Sequence, residues 1–454
     1  MLDVYLSRHE GKTLEFKENT KSLQGIVKTV AAFANTAGGV IIIGVRDRTK
    51  EICGVADPLQ EEERLASAIA DNIEPLLVPD IEIHSYNDKA VVLIHVPHAA
   101  GPYYCKSEGI DRGTYIRFGS TNRKADCETI ASLKLFAANR TYDELPAMKG
   151  SIDWASIETA FGWVQKRPSE KTCETMGVLS SYAGKMSPTV GGVLLFGSDR
   201  TELLPDSVIR CALFAGTSKE KILDQQDIKS GLPFAIHEII AFIDRNTRRE
   251  GKIGKIFRED VAEYPLFAIR EAVTNALLHA DYSMTGCHIQ IAIFDDRIEF
   301  TNPGGLPFGQ TLQKALSGFS RLRNRVLGRV FRELNLIEQW GSGLQRIFAV
   351  CERQGLKKPE IEELGNQFRL TLFSTRIKKA QLNRWEESLF KELREKNSLT
   401  PREIARLWKV SARTARERLK KMLDEGSIIR IATSVKDPRM RIIASQKEYD
   451  EAYT

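Results

Sequence analysis

Apolar and polar positions alternate along this chain in a way that predicts helices and strands in turn. Residues 24–36 place Ile26, Val30 and Phe33 on one face at helical spacing. Gly38 and Gly39 close that helix, since glycine readily supplies the left-handed residue at a helix end. The apolar run 40–45 is strand length. Residues 61–72 read as a second helix that stops before Pro75, and 90–96 and 113–118 read as strands, so residues 1–142 predict an α/β domain. Residues 151–262 are harder to read. There 193–196 and 208–214 look like strands and 232–246 like a helix, with no chemical signature, and the segment reads as a connector layer. Clear alternation returns over 263–375. A helix spans 266–280 after Pro265, strands 288–294 and 297–301 flank the Asp295-Asp296 turn, helices cover 323–335 and 343–354, and 368–373 is a closing strand. From 380 to 454, helices at 384–396, 401–408 and 412–425 precede a short hairpin, 428–433 with 439–444. Thr400 and Ser411 stand at N-caps, Pro401 at a first helical position and Glu403 three residues after its cap. That order is the order of a winged helix-turn-helix. The predicted class is an α/β (α+β) multidomain protein.

Composition narrows the picture. A chain of 454 residues is enough for about three domains, and its hydrophobic fraction of 42% and charged fraction of 28% are those of a soluble globular protein. No apolar run approaches the ~20 residues a membrane span needs, and the charged N-terminus does not read as a signal peptide. The 7 cysteines are scattered without a CxxC, so reduced thiols and a cytoplasmic location are expected, with no membrane partner. The net charge of +6 is uneven. Residues 376–454 hold 20 Lys+Arg against 12 Asp+Glu, a net +8, which leaves −2 for the rest. A basic segment that also carries a fold pattern favours nucleic acid, although a solvated basic face has the same composition.

The N-terminal region gathers carboxylates. Glu10, Glu15 and Asp47 converge if a short N-terminal strand pairs with strand 40–45, and Lys17 lies beside them. Three carboxylates can hold Mg²⁺ or Mn²⁺, and such a metal can activate water against a phosphodiester. The alternative is an ordinary Glu15–Lys17 pair with Asp47 shaping a turn. His95, His98, Cys105 and Cys127 have no zinc-ligand spacing and read as packing.

The order Glu10-x-x-x-x-Glu15-Phe16-Lys17, then Ala32-Phe33-Ala34-Asn35-Thr36-Ala37-Gly38-Gly39, then Gly44-Val45-Arg46-Asp47, with a late Gly113-Thr114-Tyr115-Ile116-Arg117-Phe118-Gly119-Ser120-Thr121, resembles the Schlafen/AlbA-like domain. The resemblance covers about residues 6–140. It implies a nucleic-acid-associated module. In animal Schlafens a three-carboxylate site of this kind cuts transfer and ribosomal RNA. Carried over, it would make Glu10, Glu15 and Asp47 metal ligands, Lys17 a phosphate contact, and Arg117, Arg123 and Lys124 further backbone contacts. Animal Schlafens use two such lobes, so a homo-oligomer is expected to rebuild the groove.

A second set of motifs lies in 263–375. Glu271, Asn275 and His279 fall on one helix face at i, i+4 and i+8. Asn302-Pro303-Gly304-Gly305 and Gly341-Ser342-Gly343 are glycine turns, the latter opening a helix, where exposed N–H groups favour phosphate. This set, with Arg323-Asn324, resembles the divergent GHKL-like module found behind AlbA-like domains, an α/β sandwich that binds ATP. The resemblance makes Glu271 the residue that orients water and Asn275 the Mg²⁺ ligand. It lays Asn302, Gly304 and Gly305 against adenine, and assigns Arg323, Asn324, Gly341 and Gly343 to the nucleotide site. Asn302 stands where an Asp is usual, and Leu306 where a glycine is usual. His279 alternatively caps its helix or satisfies a core hydrogen bond.

In the tail, Arg413, Arg416, Arg418, Lys420 and Lys421 lie on the third helix, and Arg430, Lys436, Arg439 and Arg441 on the wing. These fit phosphate and base-edge contacts to DNA. Leu419, Met422 and Leu423 read as core. Two functions remain open. One is a nucleotide-regulated protein whose AlbA-like domain binds RNA or single-stranded DNA, and with a divalent metal cleaves it. The other is a non-catalytic, ATP-responsive, DNA-binding transcriptional regulator.

Overall fold

The computed structural model describes residues 2–147, 149–182, 184–247, 249–253, 258–337, 343–374, 384–396, 398–424, 428–431 and 441–444. They form two compact units, Met1–Arg376 and Ile377–Thr454. The fold is mixed α/β, as the periodicity predicts.

In the first unit, strand Leu14–Lys17 pairs parallel to Gly39–Ile43, with Glu15 opposite Ile41. Gly39–Ile43 pairs antiparallel to Lys89–Val96, which pairs with Asp80–Tyr86. Helix Leu23–Thr36 packs on one face of this four-stranded sheet and buries Ile26, Val30 and Phe33. Leu14, Phe16, Ile42 and Leu93 fill a smaller cluster on the other face. Asn35, fully buried, ties the helix to its surroundings. It donates to the carbonyls of Tyr103 and Tyr115 at 2.8 Å each and accepts from the Tyr103 N–H. Strand Asp80–Tyr86 escapes the periodicity reading because it is an edge strand with no fully buried residue.

Residues 151–262 are not a separate connector layer. Strands Ile222–Ile228 and Ile209–Phe214 continue into Ile289–Ile293, Arg297–Pro303, Gln367–Phe373 and Glu360–Leu364 as one six-stranded sheet. Ile209–Phe214 runs parallel to Ile289–Ile293, and one core extends from Ile157 to Leu372. Residues 193–196 are not a strand but the end of helix Val190–Phe196, capped by the Thr189 hydroxyl. Every residue of that helix is buried. A short helix that is apolar all round gives the same residue pattern as a buried strand.

The AlbA-like region meets this larger domain at Asn139, whose carbonyl and side-chain oxygens accept from Arg325 at 2.7 Å each, and the segment just after it continues the contact. The Asp143 carboxylate accepts the N–H groups of Arg325, Val326 and Leu327, the open N-terminus of helix Arg325–Glu333, at 2.7–3.1 Å. The second unit has the predicted order of three helices, Arg384–Lys396, Pro401–Leu407 and Ala412–Asp424, then strands Ile428–Ile431 and Arg441–Ala444 paired antiparallel. Thr400 and Glu403 form a reciprocal capping box, and Leu419 and Met422 are in its core. Leu423 packs against that core partly buried.

Candidate functional site

Helix Leu266–His279 lies against strand Arg297–Pro303 and helix Gly343–Arg353. Between them is a cavity of about 300 Å³ whose walls include Glu271, Asn275, Asn302, Gly305 and Gly343. With His279, six residues singled out by motif thus face one space. Apolar groups complete the wall, among them Phe300, Leu306 and Phe368. A cavity with apolar walls and a few convergent polar groups is the usual form of a small-molecule site.

The polar groups are pre-arranged. The Asn275 amide donates to Glu271 Oε1 at 3.0 Å. Gly343 opens its helix directly against that carboxylate, and a β-carbon there would fall 1.8 Å from Glu271 Oε1. A larger residue there would displace the Glu271 carboxylate from its present position. Asn302 is 3% exposed at the strand end and donates to the Pro303 carbonyl at 3.3 Å. His279 lines the cavity, and burial, with Arg323 nearby, pulls its imidazole down to about 4. It is neutral at physiological pH, so it offers the cavity one N–H donor and one lone pair and no charge.

Other predicted members stand elsewhere. Arg323 pairs with Asp281 at 2.7 Å and donates to the Gly305 carbonyl, holding the glycine turn from behind. Asn324 is buried and donates to the carbonyls of Leu278 and Ala280, so it closes the end of the pocket helix and does not reach the cavity. Gly304, with φ +87, supplies the left-handed turn beside Asp281 and Arg323. Gly341 and Ser342 lie outside the described residues. Sequence reasoning missed Gln310 and Phe319, which line the cavity from the loop after the strand. That stretch holds only the short helix Leu312–Leu316, too brief to show a period, and its glycines are its clearest signal.

The carboxylate cluster behaves differently. Glu15 is 5% exposed and its carboxylate contacts both Arg117 and Lys17. Arg117 is itself buried, donates to the Gly11 carbonyl at 3.0 Å and to Asn122 at 2.8 Å, and stacks over Phe33. It is an internal counter-ion and not a phosphate contact. Glu10 accepts the Phe16 N–H at 2.7 Å. Burial, and then the negative charges of Glu15 and Asp47, raise the Glu10 pKa. Asp47 is half exposed beside Lys50. Among the described residues no group of three His, Cys, Asp or Glu side chains is placed to hold a metal ion. The predicted Glu10, Glu15 and Asp47 ligand set therefore does not fit a divalent cation here, because Glu15 is already neutralised by two cations. Arg123 and Lys124 are exposed on strand Thr121–Lys124, whose partner strand carries the exposed Phe118 opposite Thr121, and Lys124 pairs with Glu108 at 3.3 Å. His98 instead bonds the Ala34 carbonyl at 2.9 Å and stacks on Phe136.

In the second unit Arg413, Arg416 and Lys420 are exposed on helix Ala412–Asp424. Arg413 is paired with Glu417 one turn on. Arg418 is not with them, since its guanidinium packs over Trp385 and Trp408 at 4.9 and 5.8 Å. Lys436 and Arg439 lie outside the described residues, as does the side chain of Lys421.

Two segments of the chain match known families. Residues 10–126 match the family described as "Schlafen, AlbA_2", and residues 286–372 match the family described as "Putative ATP-dependent DNA helicase recG C-terminal". The chain carries a Schlafen AlbA-like domain followed by an ATPase-like module. Among solved structures, the DIP2311 protein of Corynebacterium diphtheriae is 21% identical over 100% of this chain and 98% of its own, with a TM-score of 0.44. The N-terminal domain of a RecG-related protein from Nitrosomonas europaea is 27% identical over 27% of this chain and 90% of its own, with a TM-score of 0.23. Among the described residues, no helix is long and apolar enough to cross a membrane.

Proposed function

We propose that this protein binds a purine nucleotide, ATP by preference, in the cavity on helix Leu266–His279 and binds nucleic acid on its AlbA-like domain. The observation that carries the reading is the cavity itself, about 300 Å³ walled by Glu271, Asn275, Asn302, Gly305 and Gly343. An ATPase-like match over 286–372 supports a nucleotide as its occupant. When Mg²⁺ accompanies the nucleotide, the Asn275 side-chain oxygen is the group that would reach it, because the amide nitrogen is held by Glu271. The metal would neutralise phosphate charge; Glu271 is placed to orient a water.

On the AlbA-like domain, RNA or single-stranded DNA would lie on the exposed cations Arg123 and Lys124 with a base on Phe118, since basic groups track the backbone and an aromatic face accepts any base. The second unit reads as a winged helix-turn-helix that presents Arg413, Arg416 and Lys420 to duplex DNA. The buried Glu15–Arg117 pair favours binding without a metal-dependent cut at Glu10, Glu15 and Asp47.

The test combines two measurements on the full chain. Calorimetric titration with ATP and Mg²⁺ is expected to show binding that Asn275→Ala and Asn302→Leu each remove. Labelled transfer RNA, single-stranded DNA and duplex DNA are then incubated with Mn²⁺ or EDTA, beside Glu10→Ala/Glu15→Ala. Binding without cutting is expected. Metal-dependent cutting that the double variant loses would replace this reading with a nuclease. No ATP binding would overturn the nucleotide site.

A further inference from the structure

The loop from Gly304 to Asn324 does two jobs at once. Its inner side is a wall of the cavity, through Gly305, Leu306, Gln310 and Phe319. Its outer side is where the larger domain touches the AlbA-like domain. The Gly309 N–H donates to the carbonyl of Thr36, the last residue of helix Leu23–Thr36, at 2.7 Å. Gly309 has φ +83 and sits so close to its neighbours that a β-carbon would fall 2.4 Å from the His98 ring and 2.5 Å from the Arg321 guanidinium. Arg321 in turn lies over Phe136 of the AlbA-like region at 4.4 Å. At the rim, Glu363 accepts the Leu306 N–H at 2.9 Å and pairs with Lys12 at 3.2 Å. Lys12 is two residues from Glu10.

From there the contacts continue to the surface strands. The Thr36 hydroxyl accepts the Arg117 N–H at 2.8 Å, and the Arg117 side chain holds Asn122, the neighbour of Arg123. A hydrogen-bonded and contacting path therefore joins the cavity wall to the strand that carries Arg123 and Lys124, crossing at the partly buried Gly309 and His98. Close-packed contacts of this kind do not deform gradually, so a wall that shifts when the cavity fills must shift what is bonded to it.

We infer that loop 304–324 couples the two sites: a purine nucleotide in the cavity and nucleic acid on the AlbA-like domain alter each other's affinity. This rests on the nucleotide and nucleic-acid reading above and adds the route between them. Coupling by linkage is reciprocal, so each ligand changes the other by the same factor. Contiguity alone is geometric, and the factor is what an experiment has to supply.

The experiment uses the full chain, a non-hydrolysable ATP analogue with Mg²⁺, and a labelled single-stranded oligonucleotide. Oligonucleotide Kd is measured by anisotropy with and without saturating analogue, and analogue Kd by calorimetry with and without oligonucleotide. The expected factor is at least about 5 in both directions. Gly309→Ala breaks the crossing without touching Asn275, Asn302, Arg123 or Lys124. It is expected to keep each separate affinity within about threefold while the factor falls below about 2. Circular dichroism and Tm check that the variant is folded, and His98→Ala, which removes the ring from the same crossing, gives a second cut by the opposite change in volume. Two affinities that are both measurable and mutually indifferent in the unaltered protein overturn the coupling and leave the proposed function standing. No binding of the analogue overturns both. A factor that persists in Gly309→Ala and in His98→Ala overturns this route.

Discussion

The AlbA-like carboxylate cluster and the cavity on helix Leu266–His279 both begin as motifs of charged and amide side chains, and the fold treats them in opposite ways. In the first, Glu15 points into a dry layer where Arg117 and Lys17 cancel its charge. In the second, Phe300, Leu306 and Phe368 hold the polar groups of Glu271, Asn275 and Asn302 around an open space. The difference teaches that a motif's charges predict chemistry only where the fold leaves room for a ligand. Opposite charges that meet each other inside are structure. Polar groups spaced by apolar walls are a site.

The strongest way to break that comparison is to remove the internal counter-ion. Arg117→Ala leaves the buried Glu15 with the half-exposed Lys17 and the Thr29 hydroxyl at 3.5 Å, and breaking one side of a buried pair costs about 3–5 kcal/mol. Chemical denaturation should show a loss of that size, and Glu15→Gln/Arg117→Met should recover most of it. A single variant less than about 1 kcal/mol below the parent would mean that Arg117 is free to serve as a phosphate contact after all.

Next in size is Gly343→Ala. The added methyl overlaps the Glu271 carboxylate, so either the helix start or Glu271 must move. Overpacking of this kind costs about 1–3 kcal/mol, and ATP affinity should fall at least tenfold because the Glu271–Asn275 pair is displaced. Unchanged ATP affinity would separate that pair from the ligand.

Protonation sharpens the same contrast. His279 in the fold titrates at about 4, below its unfolded value near 6.5, so the folded state binds fewer protons between those limits. The stability this gives is fully present above pH 6.5 and is lost as pH falls towards 4, by roughly 3 kcal/mol at most. Raised carboxylates oppose it. Burial lifts Asp143 to about 6 despite its backbone donors, and Glu10 is also raised, so both favour the fold as pH falls. The difference between parent and His279→Asn isolates the histidine. Parallel stability–pH curves for the two would show that His279 is not dry.

These residues also mark how far the sequence could be read. Helix 266–280 and strands 288–294 and 297–301 were legible from their apolar patterning and a turn; helical spacing put Glu271 and Asn275 on one face, and the resemblance to the GHKL-like module is what pointed to a pocket there. The partnership of residues 151–262 with that sheet was not legible, since a parallel pairing such as Ile209–Phe214 with Ile289–Ile293 leaves no local signal. Nor were the roles of Arg117, Arg323, Asn324 and Arg418. Each is a polar residue in the expected motif or on the expected helix, and only burial tells that its donors or its ring contacts are spent internally.

The smallest expected effect concerns the two cations that remain free of that internal layer. Arg123 and Lys124 are exposed, and the loss of Lys124 still leaves Glu108 with Lys28 at 2.8 Å and the Tyr115 hydroxyl at 2.8 Å. Arg123→Ala/Lys124→Ala should therefore change stability by no more than about 0.5 kcal/mol, as surface substitutions usually do. Its effect lies in salt dependence. Each phosphate neutralised on a single strand contributes about 0.7 to the slope of log K against log salt, so the slope should flatten by about 1.4. Arg117→Ala, at temperatures where it stays folded, should leave the slope within about 0.3 of the parent, well short of the ~0.7 that one lost phosphate contact removes. The reverse pattern, with the slope carried by Arg117 and untouched by Arg123 and Lys124, would place the nucleic acid on the carboxylate side of the domain and turn the opening contrast around.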